Sequence, residues 1–276
     1  MKFIYVAAFL SAFLANLAIL GGSAEACDAA CLAARKAANP LADTRALITD
    51  NTIAYRTGTN DEDSFNFQLQ PVYSVPLGDA NLVLRGIIPY QGVQPGAVLP
   101  PGITDPSPND DLVTGLGDIV LQGFYAPLPG ENGVALGYGL QASLPTRGNE
   151  ALAGAGWGAG PAFVVFGQTG NLSWGGVLAH MWGEEKFNTT IVQPILIYGF
   201  GGGWYGGYNN VISYDWNAES SSDALTLPIG LTLGKTTVIN EQSGTALDLS
   251  AGYYALERKP TGGPDSQLKI GISLFF

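Results

Sequence analysis

From about Thr44 to the end of the chain, apolar and polar side chains alternate with a period of two. In residues 64–70, Phe65, Phe67 and Leu69 share one face, and Asn66, Gln68 and Gln70 share the other. Residues 133–145 repeat this, setting Val134, Leu136, Tyr138, Leu140 and Leu144 against Gly137, Gly139, Gln141 and Ser143. Residues 224–234 place Leu225, Leu227, Ile229, Leu231 and Leu233 opposite Thr226, Gly230, Thr232 and Gly234. In 266–276, Leu268, Ile270, Ile272, Leu274 and Phe276 oppose Gln267, Lys269, Gly271 and Ser273. A period of two marks a strand whose faces meet different surroundings. Twelve segments fit, at roughly 47–58, 64–76, 80–91, 114–127, 133–145, 156–168, 172–183, 189–200, 204–216, 224–234, 245–256 and 266–276, with ten as the alternative count.

The connections decide what those surroundings are. Residues 77–79, 129–132, 168–171 and 201–203 read as tight turns. The intervening connections, 61–63, 92–113, 147–154, 183–188, 217–223 and 257–265, are mostly longer, polar and acidic. Residues 235–244 are the exception, long for a place in the short set. A transmembrane barrel alternates short and long connections because its two ends face different compartments, whereas a soluble sandwich has no reason to. The pattern therefore predicts an all-β fold: an antiparallel up-and-down transmembrane β-barrel of about 12 strands over residues 44–276.

Before the strands, residues 27–43 are rich in Ala and broken by Asn39-Pro40. They predict a short helix, either periplasmic or entering the lumen. Residues 1–26 read as a cleaved signal peptide, with Lys2, an apolar stretch over 3–20 and Ala24-x-Ala26 before the cut. Cys27 and Cys31 are the only cysteines. Lipidation of Cys27 would call for Leu three residues upstream, where Ala24 stands, so a local disulfide or two unmodified thiols fits better.

Composition agrees with a membrane setting. Charged residues make up 13% against 46% hydrophobic, yet after residue 20 no apolar run is long enough for a spanning helix. With 12 Lys+Arg against 23 Asp+Glu, the chain lacks the basic clusters that nucleic acid requires. Only helices and closed barrels satisfy every backbone group in lipid, which leaves the barrel.

Candidate chemistry is sparse. His180 is the only histidine, and neither Ser173 nor Ser213 is spaced to form a nucleophile–base pair with it, so no catalytic set is expected. Two Cys and one His make no convincing zinc site, and the acidic loops follow no calcium-loop spacing, so no metal or other cofactor is predicted. The Gly-rich run at 156–160 lacks the βαβ context of a dinucleotide site. Trp174, Trp182, Trp204, Tyr205, Tyr208, Tyr214 and Trp216 lie near strand ends, as aromatic girdles do.

Charges within strands are more informative. An Arg or Lys on the lipid face costs roughly 2–4 kcal/mol at the midplane, so strand charges belong inside. Parity places Arg56, Arg85, Asp118, Asp248 and Lys269 in the lumen and suggests the pairs Arg85–Asp118 and Asp248–Lys269. These five are the candidates for wall-stiffening ion pairs or for a selectivity constriction.

A set of motifs also carries a resemblance. It runs through Asn39-Pro40-Leu41-Ala42-Asp43, Gln70-Pro71-Val72, Arg85-Gly86-Ile87-Ile88-Pro89 and Gly115-Leu116-Gly117-Asp118-Ile119. Trp157-Gly158-Ala159-Gly160-Pro161, Gln193-Pro194, Ser213-Tyr214-Asp215-Trp216, Leu227-Pro228-Ile229-Gly230 and Gly262-Gly263-Pro264-Asp265 continue it. The chain resembles the bacterial outer-membrane transporter family named for the meta-pathway of phenol degradation, often mislabelled neuromedin U. The resemblance implies a channel for small organic compounds, tied by name to aromatics. The last strand, ending in Phe276, also resembles the signal read by barrel-assembly machinery. Outer-membrane lipid, lipopolysaccharide and small organic solutes are the other partners expected. The alternatives are a structural or surface barrel with an occluded lumen, and a lipid-modifying enzyme.

Overall fold

The computed structural model describes residues 27–94, 96–99, 112–131, 133–152 and 154–276. The expected signal peptide lies outside the described residues. One helix, α1 (Ala29–Ala38), precedes β1 (Arg45–Thr57), β2 (Glu62–Pro76), β3 (Ala80–Val93), β4 (Val113–Leu116), β5 (Ile119–Pro127), β6 (Ala135–Leu144) and β7 (Gly158–Thr169). There follow β8 (Leu172–Trp182), β9 (Asn188–Gly201), β10 (Trp204–Asn209), β11 (Ile212–Asp215), β12 (Leu225–Asn240), β13 (Thr245–Arg258) and β14 (Ser266–Phe275).

Each strand pairs antiparallel with its sequence neighbour, and β1 pairs with β14 from Ala46↔Phe275 to Tyr55↔Ser266. The sheet is therefore closed. Its wall has twelve positions: β4 and β5 both pair with β3, while β10 and β11 both fill the place between β9 and β12. Among the described residues, closure leaves only the short β4, which pairs with β3 alone, outside the continuous ladder.

The 235–244 exception dissolves. β12 runs on to Asn240, which pairs with Thr245, leaving a short turn like the others at that end. All the tight turns thus gather at one end, called here the turn end, and the long acidic connections gather at the loop end.

Side chains obey the alternation. Leu69, Leu84, Leu121, Leu140, Phe163, Leu196, Leu231, Leu249 and Ile272 all lie exposed on the outside. Gln70, Gln91, Gln122, Gln141, Ser143, Thr189 and Gln267 are buried on the inside. The inversion of the soluble rule, with Leu out and Gln in, is what lipid outside and a polar lumen produce.

The inner face is not polar throughout. Towards the turn end, Leu41 enters the barrel and packs with Val83, Phe124, Ala135, Ala162, Val164, Phe166, Val177 and Ile195. Asp28 caps α1 by accepting the Cys31 N–H at 2.7 Å, and Cys27 and Cys31 are joined in a disulfide at the helix start. Asn39 ends the helix, and its side chain accepts the Leu41 N–H at 2.9 Å, turning the chain into the wall. Arg35 Nη2 donates to the carbonyl of Gly170 in a tight turn at 2.5 Å, which moors α1 across the turn end.

Candidate functional site

Among the described residues, two cavities of similar volume lie in the lumen. The one near the turn end has a volume of ≈ 190 Å³ and lies between α1 and the walls of β1, β9, β10, β13 and β14. The other, towards the loop end, has ≈ 180 Å³ and is lined by strand amides together with Leu99, Met181 and Phe187. Asp50, Gln70, Arg85, Val177 and Gln193 line both, so this layer is where the cavities meet.

Arg85 donates to Gln70 Oε1 across the β2–β3 pair, and Asp50 is the opposing charge that acts on it. Arg85 Nε is buried without a hydrogen-bond partner. Lys269 Nζ donates to Asp50 Oδ2 at 3.0 Å and approaches Asn210 Oδ1 at 3.5 Å. Asn210 reaches inward because the wall is interrupted there, with Asn210 and Val211 separating β10 from β11. Opposite the break stands Pro228, which has no N–H to offer a ladder. Tyr208 fills the gap, donating from its hydroxyl to the Pro228 carbonyl at 2.9 Å.

Below this layer, Asp248 accepts from Tyr205 at 2.8 Å and from Thr236 at 2.6 Å. Above it, Asp118 sits between β4 and β5 and accepts the backbone N–H of Gly156 at 2.7 Å and of Arg147 at 3.1 Å, with Arg147 Nη1 at 3.7 Å. A Cβ at Gly154 would lie 2.1 Å from the Asp118 carboxylate, so this loop folds over Asp118 only because residue 154 is glycine.

The expected site residues are therefore distributed as follows. Arg85, Asp118, Asp248 and Lys269 lie on the lumen side. They do not pair as expected: Arg85 takes Gln70 and Asp50, Asp118 takes Arg147, Asp248 takes Tyr205 and Thr236, and Lys269 takes Asp50. Arg56 is not in the lumen. The β1–β2 register shifts between Ala54 and Thr57, Arg56 adopts φ 55°, and Thr57 takes the buried inward place. The extra residue of this bulge reverses the parity, and Arg56 pairs with Asp265 at the loop rim.

The five candidates left out Asp50, Gln70, Gln193 and Asn210, which are lumen-layer residues. For Asp50 and Gln70 the signal was present, since both fall on the polar face of their strands. The girdle expectation also needs correction, because Tyr205 reaches Asp248 and Tyr208 fills the wall break. Trp174, Trp182, Trp204, Tyr214 and Trp216 do face outward near strand ends. His180 meets Trp182 edge to face on the outer side and its Nδ1 lies 2.7 Å from Thr190 Oγ1, while Ser173 and Ser213 are buried on the other side of the wall.

The outer loops are tied to one another. The Gly262 carbonyl accepts the N–H of Gly58 at 2.9 Å and of Val98 at 3.1 Å, and Asp223 accepts Thr261 N–H at 2.8 Å. Hydrogen bonds from Ser220 and Thr261 hold the Asp223 carboxyl below the ordinary range, and Lys259 does the same for Asp265.

An apolar outer wall closed around a partly polar, cavity-bearing lumen defines an antiparallel β-barrel of the outer-membrane type. A solved structure shares the fold. The chain is similar to an outer membrane channel from Pseudomonas putida F1, with a TM-score of 0.58 and 12% identity, over 85% of this chain and 96% of that one. A FadL homologue from Pseudomonas aeruginosa is a looser likeness, at a TM-score of 0.42 and 12% identity over 94% of this chain and 96% of that one. No protein-family model matches the chain, and no curated protein matches it.

Proposed function

We propose that this protein is an outer-membrane channel through which small organic compounds, aromatic ones among them, enter by passive movement. The single observation that carries this reading is the interior: two cavities meet at the Arg85 layer, where a soluble fold of this size would have a filled core. The loop end faces the exterior, where its acidic loops meet lipopolysaccharide, and the turn end with α1 faces the periplasm. Mechanistically, the outward Leu, Phe and Trp side chains hold the barrel in lipid. The Asp50, Gln70, Arg85, Gln193 and Lys269 side chains set the narrow passage by size and charge. Liposome swelling with phenol and with a sugar tests it. Phenol entering faster than the sugar supports uptake of small organic compounds, equal rates remove the aromatic preference, and no entry of either removes the channel.

A second reading is favoured by one observation, the insertion of Leu41 and the seat of α1 across the turn end. In that reading the barrel is occluded and serves as a structural or surface protein. Permeation that stays absent after deletion of residues 27–43 would support it.

A further inference from the structure

We propose that the Arg85 layer is a binding subsite for the carboxylate of a small organic anion travelling through the lumen. This deepens the channel reading and rests on it, because it requires solutes to reach the layer.

The argument begins with charge. Two cations, Arg85 and Lys269, and two carboxylates, Asp50 and Asp248, line the lower cavity, and Arg85 and Asp50 stand where it meets the upper one. Lys269 donates to Asp50 at 3.0 Å and Asp248 is engaged by Tyr205 and Thr236, so among the described residues Arg85 is the lumen cation that no carboxylate binds directly. The other carboxylate on the upper cavity, Asp118, is engaged by Arg147 and two backbone N–H groups and cannot serve as a second counterion. A buried cation without a direct carboxylate partner, inside a chain of net charge -11, is not a by-product of overall composition.

Hydrogen bonding points the same way. A guanidinium carries five N–H donors in a fork matched to a carboxylate, and donates to nothing in water-poor surroundings without cost. Arg85 gives one bond to Gln70, and its Nε is buried with no partner. The amide oxygens of Asn66, Gln91 and Gln122 along the upper cavity are also unpartnered, but an amide can turn over and offer N–H instead. Arg85 cannot change sign. It is the group that fixes the ligand's charge, and the amides adapt to it.

Shape completes the site. From the Arg85 layer the upper cavity of ≈ 180 Å³ extends along Ile87, Val120, Leu99, Met181 and Phe187. A ligand with a carboxylate at one end and a compact apolar body at the other would present each part to matching surroundings.

Benzoate and benzamide are a near-isosteric pair differing in charge. Calorimetric titration of the full chain in neutral detergent should show benzoate binding and benzamide binding more weakly. Arg85→Gln should weaken benzoate by about tenfold or more, the size of a lost charge-assisted hydrogen bond, and leave benzamide unchanged. Arg85→Lys should recover part of the loss. Gln70→Glu, which keeps Arg85 and supplies it with an internal carboxylate, should weaken benzoate equally, and it tests the subsite even where Arg85→Gln fails to fold. Benzoate binding no tighter than benzamide, or equally tight binding in both variants, would overturn the proposal. Liposome entry separates this from the channel reading. A barrel that binds benzoate through Arg85 but passes neither solute keeps the subsite and loses the channel, and one that passes both without Arg85-dependent binding does the reverse.

Discussion

The two ends of the barrel are built by different physical means. At the turn end stands a separate segment: α1 lies against the wall and Leu41 is its apolar anchor, with Arg35 tethered to Gly170. At the loop end stand the wall's own connections, of which the described residues fold over Asp118 and are tied by backbone hydrogen bonds at Gly262. The first segment can be withdrawn without breaking a single ladder between strands. The second cannot, because its residues are continuous with the strands they cap. A gate would thus belong at the turn end, and rigidity at the loop end.

The largest effect should come from the loop end. Asp118→Ala leaves Arg147 and the Gly156 N–H without their buried partner, and the loss of one member of such a buried pair costs about 3–5 kcal/mol. Urea denaturation of the folded barrel would register it, and a shift under 1 kcal/mol would mean that the loop end is held elsewhere.

At the turn end, Leu41→Ala should cost about 2 kcal/mol or more of α1 docking while leaving the strand ladder intact. The readout is tryptic cleavage after Arg35 and Lys36, expected to accelerate with no change in the barrel's far-ultraviolet signal. Unchanged cleavage would show that Leu41 is not the anchor.

The smallest effect concerns the outer loops and pH. Asp223 has a depressed carboxyl, so its bond to the Thr261 N–H is present above the ordinary aspartate pKa of about 3.9 and is lost only as pH falls through the lower folded value. The Thr261 amide resonance should titrate with a midpoint below that of an ordinary aspartate. A midpoint at or above it would contradict the loop-to-loop tie.

Much of this architecture was legible in the residues, for a physical reason. A wall with lipid on one side and a lumen on the other imposes strict parity, so Leu69 against Gln70, or Leu121 against Gln122, reveals both strand and facing. What stayed hidden depends on register and on irregularity. The bulge that turns Arg56 out to the rim looks like ordinary alternation in the sequence. The break at Asn210 is invisible because it is set by the Pro228 strand across the seam. The partners of Arg85, Asp248 and Lys269 depend on which residues face one another across strands, and parity gives direction without height. The continuation of β12 to Asn240 was obscured because Lys235, Thr236 and Thr237 read as a polar turn.

Single-channel recording in a planar bilayer tests the central claim most directly, comparing the full chain with one lacking residues 27–43. A lumen that is a solute path closed by a removable segment predicts small or intermittent conductance for the first and a larger, steady one for the second. No conductance from either, with both correctly folded, would contradict the claim that the lumen is a passage.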